Sequence, residues 1–418
     1  MRVIRQTCLL LHRYIGLGLA VFLIVVGITG SLLAFLPELN RLTAPALYPR
    51  EKDTPALGAG ELAERVQSTL VHSRVTGVNF YQAGTVEVWT SPLTEAATGK
   101  PHIEAFDQVF VDPYTGNELG RCFYGQLSQG WVNLMPFIYQ LHYSLALGTV
   151  GAWVLGIAAF LWTVDCVVST YLTLPARQRD VLVRTTGKTW WQRWQPAWLV
   201  RWTARGYRLN FDLHRAGGLW LWIALLVFAW SSVYMNFHDQ VYAPLTRMVF
   251  EYPSQPWESP VLQQAVDQPL LGWRQAGEVA ERLMSIEASA HGFVVERPIA
   301  LSIDHQRALY HYTVHSNLDF QDKRGRTSLS FNANTGEPNH LFLPTGQYSG
   351  LTVTNWLATL HEANVFGLPY RIFVVVLGLA IAMLSITGVY IWLKKRRARL
   401  LSRQRRSERV GASVGVDV

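Results

Sequence analysis

The sequence predicts an α-helical membrane protein with four transmembrane helices, arranged as an internal duplication of two plus two, and with two exported α+β modules. Three observations support this fold class: long apolar runs, the placement of Lys and Arg, and a repeated set of motifs. The chain has 418 residues, 50% apolar and 16% charged, which excludes global disorder. Three Cys without a CxxC motif exclude a disulfide scaffold and a cysteine zinc site.

Four apolar segments are long enough to cross a bilayer. Ile15–Leu36, Ala216–Phe237 and Ile372–Leu393 contain no charged residue, and each would form a helix of about 33 Å, close to the thickness of the hydrocarbon core. Leu145–Leu174 is a fourth candidate, interrupted only by Asp165. Four spans place both termini on the same side of the membrane.

Lys and Arg indicate which side this is, because basic residues near span ends are retained in the cytoplasm. Residues 1–13, 175–213 and 394–418 hold 20 of the 37 Lys and Arg, whereas 38–141 and 238–365 are both net acidic. Both termini and the central loop are therefore predicted to be cytoplasmic, and the two modules exported. The net charge of +8 reflects this orientation, and no nucleic-acid partner is predicted.

The predicted order of segments follows directly from the spans. It is a cytoplasmic N-terminus 1–14, a span 15–36, a first module 37–144, a span 145–174, a basic Trp-rich loop 175–213, a span 214–237, a second module 238–368, a span 369–393 and a basic tail 394–418. The loop places five Trp among Arg193 and Arg201, which predicts an anchor in the membrane interface, with a partner-binding helix as the alternative. These are Trp190, Trp191, Trp194, Trp198 and Trp202.

Motifs repeat in the two halves in the same order. LHRxxGL occurs at Leu11–Leu17 and Leu213–Leu219, LHxxxxxG occurs at 141–148 and 360–367, and the turns DPYTG and NANTG lie between them. Ordered matches of this kind predict a duplication, in which each half is a span, a module and a returning span. Amphipathic stretches and alternating apolar residues within each module predict α+β structure.

Four of the twelve histidines occupy equivalent positions of the repeat. His12 and His214 share one depth at the cytoplasmic span ends, and His142 and His361 share the other depth. Two imidazoles at one level on facing helices can bind a haem iron from opposite sides, which predicts one b-type haem near each membrane face. A single His at a span end is more often an interfacial residue, and zinc or copper would want three or four ligands.

Other residues are candidates for supporting roles. Arg13, Arg215 and Arg371 are candidates for contacts with haem propionates. Asp165 is predicted to orient His12 or His214 by a hydrogen bond or to relay protons, with simple hydration near the interface as the alternative. No residue is assigned a catalytic role.

The positions of His142 and His361 predict a break between each histidine and the span that follows it. A continuous helix from His142 to Leu174, or from His361 to Leu393, would reach about 48 Å and overshoot the bilayer. Glycines follow both histidines, and a short separate helix is therefore predicted to carry each of them.

These motifs resemble those of the PepSY-associated transmembrane proteins, an iron-regulated group of the bacterial inner membrane. The resemblance covers Leu11 to Leu393, and the sequence departs from it at Asn332-Ala333-Asn334, which replaces Asp-Pro-Tyr. Similar members include haem-containing ferric-siderophore reductases of the ferrioxamine type. The resemblance implies PepSY-like modules in the periplasm, two non-covalent haem b groups on the four histidines, and reduction of Fe(III) siderophores to Fe(II).

The partners implied are membrane lipid and a ferric siderophore whose identity the resemblance does not give. The central loop lacks a GxGxxG fingerprint, so a nicotinamide or flavin donor would bind elsewhere, and quinol or a separate dehydrogenase is the hypothesis. Two alternatives stay open: a regulatory PepSY protein that restrains a peptidase or senses the envelope, and a permease component for siderophore or iron.

Overall fold

The computed structural model describes residues 2–48, 54–82, 84–95, 97–175, 189–253 and 259–414. Part of the predicted basic loop, 176–188, lies outside the described residues. The chain divides into two units. The helical unit contains Met1–Leu32, Leu141–His238 and Ile372–Val418, and the sheet unit contains Leu33–Gln140 and Asp239–Arg371.

Within these described ranges, four helices are long and apolar enough to span a membrane, so the chain is a multi-pass membrane protein. The helices that contain these spans are α1 Arg2–Leu33, α5 Gly148–Thr173, α7 Tyr207–Asn236 and α11 Gly367–Val414. Three of them extend beyond the predicted spans. Hydropathy marks only the part of a helix that suits hydrocarbon, whereas the backbone is also helical in the charged segments before the spans of α1 and α7 and after the span of α11.

The first and last spans cross closely within the helical unit. A Cβ built on Gly27 would lie 2.6 Å from the Gly378 carbonyl oxygen, and one built on Gly378 would lie 2.4 Å from that of Gly27. Ser31 Oγ donates to the Val375 carbonyl oxygen at 3.2 Å. Since lipid provides no hydrophobic force between helices, this close backbone packing is what holds α1 against α11.

Short helices precede the second and fourth spans, as the glycines predicted. These are α4 Leu134–Ser144, which carries His142, and α10 Ser349–His361. Gly148 and Gly367 each begin the following span with a positive φ, of 56° and 61°. Non-glycine residues also have a positive φ in both connections, which is uncommon and marks sharp reversals of the chain: Leu145, Ala146, Ala363 and Phe366.

The described part of the sheet unit contains one antiparallel sheet of eight strands in the order β4-β3-β2-β1-β5-β6-β7-β8. The strands are β1 Ser73–Gln82, β2 Thr85–Pro92, β3 Gln108–Val111, β4 Glu118–Cys122, β5 Val295–Asp304, β6 Leu309–Ser316, β7 Thr327–Asn332 and β8 Pro338–Phe342. The sequence predicted two modules, and the structure joins them, because β1 pairs with β5 through Val78 and Leu301. This pairing removes an unpaired edge from each four-stranded half.

Two helices cover one face of this sheet, α3 Ala59–Gln67 and α9 Trp273–His291. The apolar side of each helix packs into a shared core with alternate residues of the strands, including fully buried Leu62 and Leu301. A Cβ on Gly60 would lie 2.3 Å from the Trp273 carbonyl oxygen, so only glycine permits this approach. Each large apolar side chain buried here stabilises the unit by roughly 1.5 to 3 kcal/mol.

Three further short α-helices lie in the described structure. These are α2 Leu36–Thr43, α6 Trp190–Trp194 and α8 Ala243–Thr246. Trp194 contacts the rings of Trp190 and Trp191 in α6 and that of Trp198 beyond it. Trp191 and Trp202 are largely exposed, and both the interfacial anchor and the partner-binding helix stay predictions for this segment.

Candidate functional site

His12 lies on α1 and contacts the one acidic residue predicted within a span. Its Nδ1 is 2.9 and 3.0 Å from the two carboxylate oxygens of Asp165 on α5. The Asp165 side chain is only 13% exposed. An ionised carboxylate only accepts hydrogen bonds, so the proton of a neutral His12 is on Nδ1 and Nε2 keeps its lone pair.

His214 lies on α7 and has equivalent protonation. Its Nδ1 is 3.0 Å from the Leu384 carbonyl oxygen and 3.2 Å from Thr387 Oγ1, both on α11. Because a carbonyl oxygen accepts only, Nδ1 must be the donor here as well. The Nε2 of His214 is therefore the nitrogen with an available lone pair.

The structure brings these two imidazoles together. The ring centres of His12 and His214 are 6.0 Å apart, and the ring planes are inclined by 47°. Two imidazoles on opposite sides of one metal ion have centres roughly 6 Å apart, since each metal–nitrogen bond is about 2 Å and the ring centre lies about 1 Å further away. The distance between the two rings therefore equals the one expected for two imidazoles that share one metal ion.

The glycines of the repeated LHRxxGL motif lie beside this pair. Gly16 and Gly218 each follow a histidine by four residues, about one helical turn, and therefore lie on the same helix face as the imidazole. A Cβ built on either glycine would meet no atom within 4 Å, although both residues are partly buried. The space beside each glycine is therefore open at this level of the helices.

His142 lies on α4 and contacts α1 near the opposite end of that helix from His12. Its Nδ1 is 3.0 Å from Thr29 Oγ1. The Thr29 hydroxyl also lies 2.8 Å from the Val25 carbonyl oxygen, to which it donates. A Cβ on Gly30 would lie 2.9 Å from His142 Cε1, so the imidazole rests directly against this glycine.

His361 ends α10 and belongs to the sheet unit, whereas His142 belongs to the helical unit. The neighbouring Glu362 accepts a hydrogen bond from Arg326 Nη2 at 3.2 Å. Tyr370 donates to the Leu360 carbonyl oxygen at 2.9 Å, which ties the start of α11 to the end of α10. The pairing of His142 with His361 stays a prediction.

The three candidate arginines differ in their surroundings. Arg13 is partly exposed beside His12. Arg215 Nη2 donates to the Pro196 carbonyl oxygen at 2.6 Å and lies 3.3 Å from Asp212. Arg371 donates to both carboxylate oxygens of Glu38, at 2.9 and 2.6 Å. Arg215 and Arg371 thus have protein acceptors, and the propionate contacts remain predictions.

Among the ionisable groups of the sheet unit, Glu87 and Glu38 have pKa values shifted in opposite directions. Burial raises the pKa of Glu87 to about 7, although Arg324 and hydrogen bonds from Tyr48 and Gln108 oppose that effect. Burial also raises the pKa of Glu38, but the hydrogen bonds from Arg371 and from its own backbone, together with the positive charges of Lys323 and Arg371, outweigh it, so that the net pKa of Glu38 is lowered. In the described ranges no group of three or more His, Cys, Asp or Glu side chains is placed to hold a bare metal ion.

The residues that contact two of the four histidines were not predicted from the sequence. Thr29 and Gly30 contact His142, and Thr387 and Gly388 contact His214. A signal was present, since both pairs belong to the same tripeptide, Ile-Thr-Gly, at 28–30 and 386–388. Thr and Gly are common in membrane helices, so the sequence alone does not indicate that this tripeptide contacts a histidine.

The fold and the site define a class: a multi-pass membrane protein that joins four spans to one antiparallel sheet and holds a pair of imidazoles between its spans. Residues 9–395 match the sequence model of the family described as the PepSY-associated TM region, which covers most of the chain. The chain belongs to this family, in agreement with the resemblance seen in its motifs. No curated protein matches the chain.

Proposed function

We propose that this protein is a di-haem b-type electron-transfer protein of the bacterial inner membrane, and that it reduces ferric siderophores in the periplasm. The observation that carries the proposal is the pair formed by His12 and His214, whose ring centres are 6.0 Å apart. Both Nδ1 atoms are occupied by acceptors, which leaves both Nε2 atoms as ligands.

The residues around this pair fit a haem. Two imidazole Nε2 atoms are the usual axial set of a b-type haem, and Gly16 and Gly218 leave space for a flat macrocycle beside the ligands. When bound there, haem supplies one-electron transfer. We assign the second haem to His142 and His361, the equivalent pair of the repeat.

Several residues set the properties of the ligands. Asp165 fixes the His12 tautomer and, as a partly buried anion, makes that imidazole a more basic ligand. Leu384 and Thr387 fix His214 in the same tautomer through neutral acceptors. The site is therefore asymmetric, with one charge-assisted and one neutral ligand.

The predicted topology supports electron transfer across the membrane. The excess of Lys and Arg at the termini and in 175–213 favours a cytoplasmic position for these segments and a periplasmic position for the sheet unit. The two halves of the sheet have the same order of elements, a helix followed by four antiparallel strands, which supports an internal duplication. A duplicated pair of spans would give one imidazole pair at each membrane face.

The chemistry of the substrate suits a protein without acid–base machinery. Siderophores hold Fe(III) through hard oxygen ligands, and one electron per iron gives Fe(II), which such ligands hold less tightly. A quinol donor would release two electrons and two protons and so serve two ferric chelates; a separate dehydrogenase is the other donor class. Membrane lipid surrounds the spans.

The proposal is tested by the visible spectrum of the detergent-solubilised protein after haem-replete expression. The wild type is expected to show a b-type Soret band and a reduced alpha band. His12→Ala and His214→Ala should each remove the same haem, because both ligands serve one iron. His291→Ala, which alters an exposed histidine of α9, is the matched control and should keep both haems.

A colourless wild type would refute the haem proposal and leave the regulatory PepSY role and the permease role as the candidates. The substrate is tested separately, by trapping Fe(II) from several ferric siderophores with dithionite-reduced protein. Inactivity toward all of them would reject the reductase even if haem is bound.

A further inference from the structure

The tripeptide Ile-Thr-Gly meets a histidine of another helix at both places where it occurs. On α1, Thr29 and Gly30 contact His142, which α4 carries. On α11, Thr387 and Gly388 contact His214, which α7 carries. The contacts are the same at both sites: the Thr hydroxyl lies next to Nδ1 of the imidazole, and the Gly lies next to Cε1.

The threonine hydroxyls are arranged to accept a hydrogen bond from the imidazole. Thr29 Oγ1 lies 2.8 Å from the Val25 carbonyl oxygen, and Thr387 Oγ1 lies 2.8 Å from that of Met383. Each hydroxyl proton is therefore directed to the carbonyl four residues earlier, and the oxygen can accept from Nδ1–H. This fixes the tautomer in which Nε2 has the lone pair.

The glycines allow the rings to reach the threonines. A Cβ would lie 2.9 Å from Cε1 of His142 at Gly30, and 3.1 Å from Cε1 of His214 at Gly388. Glycine in membrane helices commonly permits close packing of two backbones, as at the crossing of Gly27 and Gly378. The neighbour at Gly30 and Gly388 is instead an imidazole side chain, which a packing role alone does not account for.

We infer that Ile-Thr-Gly is a repeated imidazole-binding element that positions ligand histidines: Thr29-Gly30 orients His142, and Thr387-Gly388 orients His214. The inference rests on the proposed function, because orientation matters only if the imidazoles bind iron. It also gives His142 a ligand environment that matches His214 independently of its pairing with His361. The threonines and glycines are positioning residues that act through the histidines.

The test compares variants at one site with a matched threonine elsewhere. Thr387→Val removes the hydroxyl at nearly constant volume, Thr387→Ser retains it, and Thr163→Val is the control. Thr163 donates to the Ala159 carbonyl oxygen at 2.9 Å in the same way, on α5. The readouts are haem content, the electron paramagnetic resonance g values of the low-spin ferric haems, and the midpoint potentials.

We expect Thr387→Val to keep two haems but to shift the g values and the midpoint potential of one, with Thr387→Ser restoring both. Gly388→Ala should release one haem of the two. Thr29→Val and Gly30→Ala should give the same pair of effects on the other haem. Thr163→Val should match the wild type in every readout.

The outcomes separate this inference from the proposed function. If the wild type binds two haems and Thr387→Val and Thr29→Val are both indistinguishable from Thr163→Val, only the positioning role is wrong. If the wild type binds no haem, the proposed function fails, and ¹⁵N NMR of histidine in the haem-free protein still tests the tautomer. An Nε2–H signal for His142 or His214 there would overturn the inference.

Discussion

Replacing Asp165 by asparagine should raise the midpoint potential of the haem held by His12. The carboxylate accepts from His12 Nδ1 at 2.9 Å and is 13% exposed, so water screens its charge only weakly. An anionic acceptor makes the imidazole more basic and favours ferric iron. The asparagine oxygen can accept the same hydrogen bond, which leaves the ligand in place while removing the charge.

The size of the shift follows from hydrogen-bond energies. A hydrogen bond to a charged group contributes about 1.5 to 3 kcal/mol and a neutral one about 0.5 to 1.5, a difference of about 1 to 1.5 kcal/mol. A factor of ten in a one-electron equilibrium corresponds to about 59 mV and about 1.4 kcal/mol. If the whole difference acts on the ferric state, the potential rises by roughly 40 to 65 mV.

The assay is a spectroscopic redox titration of wild type and Asp165→Asn in the same detergent, with haem content measured on each sample. Asp267→Asn is the control, because its carboxylate pairs with Arg74 at the surface of the sheet unit and is 71% exposed. The control should leave both potentials unchanged. An unchanged or lowered potential in Asp165→Asn, with both haems retained, would refute the reasoning about the ligand's basicity.

Three further outcomes are expected. Gly218→Leu should fill the open space beside the imidazole pair and abolish binding of one haem. The measurement is pyridine haemochrome per protein, and retention of two haems would contradict the proposed haem site beside Gly218. Gly378→Ala should lower the midpoint of thermal unfolding by several degrees, because its Cβ meets the Gly27 carbonyl oxygen, whereas Gly18→Ala, with nothing within 4 Å, should not. Burial of Glu87 raises its pKa from 4.5 to about 7, so the folded state binds the proton more tightly than the unfolded state. The contribution of this pKa shift to stability should be complete below pH 4.5 and be lost as the pH rises through 7. Glu87→Gln should therefore flatten the dependence of the thermal unfolding midpoint on pH in this range. An unaltered pH profile in the variant would contradict the assignment of this pH dependence to Glu87.

Much of the fold was predictable because its signals are local. The four spans follow from uninterrupted apolar runs, and the short helices α4 and α10 follow from the length of the chain and from Gly148 and Gly367. The strands follow from alternating apolar residues. Each of these features is recorded within about thirty consecutive residues, which is the range over which a sequence pattern can be read.

The joining of the two modules was not predictable in this way. The sequence indicates that Val78 and Leu301 belong to strands, but backbone hydrogen bonding, which is the same for every residue type, decides that these strands pair. Two separate sheets and one shared sheet would give the same pattern of apolar residues.

The candidate site likewise has some features that the sequence predicts and others that only the tertiary structure shows. The sequence by itself determined that His12 and His214 occupy equivalent places in a repeat, because the motif around them is local and distinctive. Only the tertiary structure decided that Asp165 contacts His12 and not His214, and that Thr29 and Thr387 meet imidazoles. These contacts join residues more than a hundred positions apart, and they depend on how the helices are rotated about their axes and how deeply each is set. That geometry comes from the packing of all four spans together, which no single segment of the chain records.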